Sequence, residues 1–82
     1  MKTVASMREY INEYVRGQSL SETGTELLYK YFGIPFTVDE ELSTYFINRV
    51  PMSEQETESY IREFFENLDT TAILELYNKI KA

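Results

Sequence analysis

At four places where an apolar run could begin, a Ser or Thr is followed three residues later by Glu: Ser19-Leu20-Ser21-Glu22, Thr23-Gly24-Thr25-Glu26, Thr37-Val38-Asp39-Glu40 and Ser53-Glu54-Gln55-Glu56. Each is a capping box, in which hydroxyl and carboxylate reciprocally satisfy two of the backbone N–H groups that a helix start leaves open. A chain divided this often, with connections of about two to six residues, is expected to fold as a set of short helices.

The apolar residues fit that division. Val4, Met7, Ile11 and Tyr14 form a stripe at helical spacing over residues 3–16, and Gly17 stands where a left-handed cap would end the helix. The second helix is expected over about residues 22–32, with Leu27, Leu28, Tyr31 and Phe32 inward and Gly33-Ile34-Pro35 as its stop. Gly24 weakens any longer version by up to ~1 kcal/mol relative to Ala. Leu42, Phe46 and Val50 recur every fourth residue and predict a third helix after the Thr37 box. The β-formers from Thr44 to Val50 supply a competing strand reading, and Pro51 ends either element. Helices over about 54–67 and 70–81 follow, the latter capped by Asp69.

The expected fold is therefore all-α: one domain spanning residues 1–82, a bundle of four to five short helices. Its core is expected to hold Val4, Met7, Ile11, Leu27, Leu28, Phe32, Leu42, Phe46, Ile61, Phe64, Leu68, Ile73, Leu76 and Ile80. A chain of 82 residues buries only about 60% of its open-chain surface, enough for one small core.

Composition excludes much chemistry. His and Cys are absent, so imidazole catalysis, thiolate zinc sites, iron–sulfur clusters, thiol nucleophiles and disulfides are excluded. The glycines are isolated and make no phosphate-cradling loop. The acids at Asp39, Glu40 and Glu41, and at Glu54, Glu56 and Glu58, fall where first helical turns are expected, and such turns favour acids without any catalytic purpose. No catalytic residue, cofactor or metal site is expected. No run approaches the roughly 18 apolar residues of a membrane span, and Arg8, Glu9 and Asn12 interrupt any apolar leader, so the expectation is a cytoplasmic protein without a membrane partner.

Charge narrows the partner. Residues 1–36 balance four basic against four acidic side chains, while residues 37–82 hold four against ten and carry the whole net charge of −6. Glu54, Glu56, Glu58, Glu63, Glu66 and Asp69, opposed by Arg62 alone, form an expected acidic contact face that repels nucleic acid and attracts a protein with a basic surface. Seven Tyr and five Phe give a second candidate surface. The wide stripes of the first and fourth expected helices point to a homodimer or higher oligomer through Tyr10, Tyr14, Phe64 and Phe65.

By elimination the function is protein–protein interaction. Size, acidity and Tyr content resemble the small host-takeover proteins that phages encode, which implies an inhibitor or antitoxin-like blocker of a host or defence enzyme that handles nucleic acid. Ile34-Pro35-Phe36 together with Leu42–Val50 resembles a stretch of the theta subunit of bacterial DNA polymerase III, a small helical family that binds the proofreading subunit. The likeness covers under a quarter of the chain and requires a gap between its two parts. It implies, as an alternative, a non-catalytic accessory subunit of a nucleic-acid-processing complex. The region around Gly33 also resembles a helix–turn–helix, a third alternative. Its second helix would open with Asp39, Glu40 and Glu41 and offer DNA only Arg49.

Overall fold

A computed structural model describes residues 3–82. Helix α1 spans Val4–Arg16. Helix α2, Leu20–Thr23, runs directly into a wider π-helical segment, Gly24–Tyr31. Strands β1 (Phe36–Asp39), β2 (Thr44–Ile47) and β3 (Val50–Met52) follow, then α3 (Glu54–Glu66) and α4 (Thr70–Lys81). The strands form an antiparallel sheet in the order β1-β2-β3.

The sheet corrects the all-α helical bundle. The third expected helix does not form; residues 36–52 make two successive hairpins instead. Their register is Phe36 opposite Ile47 and Val38 opposite Tyr45 on β1–β2, and Ile47 opposite Val50 and Tyr45 opposite Met52 on β2–β3. Phe36, Val38, Tyr45, Ile47 and Met52 therefore share one face, and all five join the core or pack against it. The working period is two. The fourfold recurrence of Leu42, Phe46 and Val50 crosses a turn: Leu42 is 71% exposed in it and Val50 is 52% exposed at the sheet edge. Neither they nor half-buried Phe46 belong to the buried core, whereas Phe36, Ile47 and Tyr77 do.

Local chemistry explains the turns. Asp39, expected to open a helix, instead accepts from the Leu42 N–H at 3.1 Å and closes the first hairpin. Asn48 and Arg49, at φ 54° and 70°, form the two-residue link between β2 and β3, a conformation that suits such hairpins because its twist matches the strands. The Asn48 N–H also donates to the Pro35 carbonyl at 2.8 Å. A strand in place of the second reading helix overturns the helix–turn–helix alternative. It also overturns the helical fold implied by the theta-like stretch.

The other helix starts follow their caps. Thr3, Ser19, Ser53 and Asp69 each accept a backbone N–H three residues on. Thr23 does not cap: it lies buried inside the continuous α2–π body, so the Ser19 box opens that helix and the Thr23 box is unused. Gly17 ends α1 in right-handed geometry at φ −80°, not left-handed. The left-handed helix stop is instead at Gly33, at φ +73°, where the Ile34 N–H turns back to the Leu28 carbonyl at 2.8 Å.

The sheet meets the helices at Gly24. The ring of Phe36 occupies the space a side chain would take there, so a Cβ on Gly24 would collide with Phe36 Cζ. Tyr31, Phe32, Phe64 and Tyr60 continue the junction as a chain of ring contacts from the π-helix to α3, with centroid separations of 4.9, 5.0 and 6.3 Å. On the other side α1 packs against α4 and α3 around fully buried Ile11, Ile73 and Leu76.

Gly24→Ala separates helix propensity from packing. Propensity alone adds up to ~1 kcal/mol of stability. Overpacking against the buried Phe36 ring removes about 1–3 kcal/mol. Urea denaturation is expected to show net destabilisation that disappears in a Phe36→Ala background, as contact coupling requires. A stabilised single variant would contradict the packing.

Candidate functional site

All six acids of the expected contact face are exposed. Three have local duties. Glu56 accepts from the Ser53 N–H at 2.9 Å in the α3 capping box, and Asp69 accepts from the Ala72 N–H at 2.8 Å to cap α4. Glu58 pairs with Arg62 at 3.1 Å, an exposed pair worth at most about 0.5 kcal/mol. The side chains of Glu54, Glu63 and Glu66 have no hydrogen bond or ion pair among the described residues.

The structure does not gather the six on one face. It sorts five of them between two concavities on the flanks of α3. The first is a cleft of about 570 Å³ between α3, the end of α1 and the start of α2. Val15, Leu20, Tyr45, Ile61 and Phe65 give it apolar walls, while Glu54, Glu58 and Glu66 share it with Arg16 and Arg62. The second is a shallower groove of about 460 Å³ between α3 and β3, lined by Val50, Pro51, Met52, Gln55, Glu56, Ser59, Tyr60 and Glu63. Among the described residues it contains two carboxylates and no cation. Asp69 lies apart, at the start of α4.

The expected aromatic contacts divide in the same way. Phe65 is 1% exposed and belongs to the core, so it is not available as a surface contact. Phe64 is half-buried, with Phe32 at 5.0 Å and Tyr60 at 6.3 Å. Tyr10 and Tyr14 remain at the surface, 36% and 37% exposed. Tyr10 meets Tyr77 edge-on at 5.3 Å, and the Lys81 ammonium lies 5.1 Å from the Tyr10 ring centre, a cation–π contact that covers part of the patch.

One residue that positions the site is invisible to periodicity. Arg8, which in sequence reads as one charge among the mixed charges of α1, reaches across to the C-terminal end of α3. Its Nη1 donates to the Glu66 carbonyl at 2.6 Å and its Nη2 to the Leu68 carbonyl at 2.7 Å. The last turn of α3 has no basic residue of its own, so Arg8 supplies both the missing donors and the favourable charge at the negative end of the helix dipole.

Among the described residues two titrating groups are displaced from their ordinary values, and both lie outside the two concavities. The backbone N–H of Ser19, then its hydroxyl, hold the Glu22 carboxyl below the usual carboxylate value. Burial, then the charge of Glu75, push the Tyr31 hydroxyl up. Among the described residues no group of three or more acids is placed to hold a metal ion, and no helix is long and apolar enough to cross a membrane. Comparison with family models, curated proteins and solved structures returned no match.

Arg8→Met keeps the stem and removes the fork. The expected loss is about 1–2 kcal/mol in chemical denaturation, the range for charged donors to partly wet carbonyls. Arg8→Lys should recover only part of it, because one ammonium cannot span both carbonyls in parallel. A loss for Arg8→Met below about 0.5 kcal/mol, the range of an uninvolved surface residue, would contradict the assignment.

Proposed function

We propose that the protein is a cytoplasmic, non-catalytic binding module that blocks an enzyme acting on nucleic acid by docking α3 against that enzyme's basic surface. The observation that carries this reading is α3 itself: five exposed glutamates opposed by Arg62 alone along thirteen residues. The shape suits a contact module. The molecule measures 46 × 20 × 19 Å, and its radius of gyration of 13.0 Å exceeds the roughly 11.7 Å expected of a compact chain of this length. Its accessible surface of 5613 Å² is correspondingly above the roughly 5,100 Å² that size alone predicts. A basic surface that normally receives phosphates is the natural complement of such a rod.

The test is capture from a bacterial lysate on the immobilised full chain, with the retained protein identified by mass spectrometry and re-bound in pure form. The expected partner binds at 0.1 M salt and is released near 1 M, where the Debye length falls to about 3 Å. Glu63→Lys/Glu66→Lys is expected to slow association more than it speeds dissociation, because exposed charges chiefly steer encounter. A partner indifferent to both salt and the double reversal would place the contact on the Tyr10–Tyr14 surface and overturn the reading.

A further inference from the structure

The two flanks of α3 differ in one respect that decides where a basic side chain would go. In the cleft, Arg16 and Arg62 already stand among the three glutamates, and the Glu58–Arg62 pair is closed at 3.1 Å. In the groove the negative charge is unopposed among the described residues. Glu56 and Glu63 are the i−4 and i+3 neighbours of Tyr60 and share its side of the helix, the Glu63 carboxylate free among the described residues and the Glu56 carboxylate turned back to the Ser53 N–H. Tyr60 is half-buried, and its ring lies nearly parallel to that of Phe64, at 15° with centroids 6.3 Å apart. Opposite stands the apolar edge of the sheet, with Val50 52% exposed and Met52 half-buried.

We propose that this groove holds an arginine side chain of the partner protein. Its guanidinium would lie at Tyr60 between Glu56 and Glu63, and its methylene stem along Val50 and Met52. An aromatic ring beside the free Glu63 carboxylate, with Glu56 adding negative charge at the other end of the groove, selects a planar cation. The apolar wall selects a cation carried on a hydrocarbon stem. Pro51 adds a restriction. It stands in the middle of the outer strand and has no N–H, so this edge is a poor template for strand addition, and the occupant is held through its side chains. Glu56 keeps its capping bond to Ser53 through one oxygen and offers the other.

This inference rests on the reading that α3 meets a basic partner, and its test is independent of finding that partner. The probe is the peptide acetyl-Val-Arg-Val-amide, titrated into the isotope-labelled full chain and followed by amide NMR shifts, beside the same peptide with citrulline replacing arginine. Saturable shifts are expected at residues 50–63 on the groove side, with the citrulline peptide about tenfold weaker. Glu63→Gln is expected to weaken the arginine peptide about three- to fivefold. Tyr60→Leu, which keeps the bulk, should weaken it by a similar factor through loss of the ring face. Glu58→Gln/Glu66→Gln, on the cleft side, should change nothing. Saturable shifts around Arg16 and Arg62 would overturn the groove assignment while leaving a basic partner for α3 intact. No saturable shift, or equal binding of the two peptides, would overturn it outright, and the lysate capture would then judge the proposed function separately.

Discussion

The arrangement of the whole molecule depends on the ring of Phe36 lying in the space left by the missing side chain of Gly24. Gly24 is the first residue of the π-helical segment and Phe36 the first of the sheet, so this contact joins the start of the sheet to the helices, while β2 and β3 pack on α3. With Phe36 seated, the register carries Ile47 and then Val50 across the sheet, and Tyr45 and Met52 follow on the same face. The sheet is thereby held against α3, and β3 becomes one wall of the groove that contains Tyr60. A glycine that costs helix propensity is repaid here in packing, because any Cβ at that position would collide with a buried ring.

Charge is distributed along similar lines. Local structure already engages Glu56, Glu58 and Asp69 through caps and an i,i+4 pair, and Arg8 covers the carbonyls at the end of α3. That tie lets a strongly acidic helix sit on α1 without a basic last turn of its own. The acids left over lie on opposite flanks, one supplied with arginines and the other not. The asymmetry turns a general negative charge into a candidate for selective recognition.

Much of this was legible in the residues. The Ser19 and Ser53 boxes and the Asp69 cap mark real helix starts, and the apolar stripes place α1, α3 and α4 within a residue or two of their observed limits. The central region was not legible, for specific reasons. The Thr37 box is a valid pattern whose aspartate is committed to a turn. The link Asn48-Arg49 lacks the glycine that usually announces a two-residue hairpin. Leu42, Phe46 and Val50 reproduce a helical spacing by coincidence, whereas Phe36 and Val38, then Tyr45 and Ile47, carry the true alternation in runs too short to stand out. The contact face was legible in composition but not in geometry. Helix periodicity shows that Glu56 and Glu63 both neighbour Tyr60, but only the hairpins put an apolar wall in front of them. Phe65 and Tyr60 lie in the same stripe, and only the packing shows which is core and which is rim.

Phe36 seats on Gly24 and, with the packing of β2 and β3 on α3, holds the sheet against the helices. Proton NMR of the full chain tests it most directly, through nuclear Overhauser contacts between the Phe36 ring protons and the Gly24 α-protons and through the chemical shifts of those α-protons. Strong contacts and α-proton shifts displaced by the ring current are expected, both lost in Phe36→Leu. Random-coil α-proton shifts at Gly24 with no contact to Phe36, or sequential contacts showing a continuous helix through residues 39–50, would contradict it.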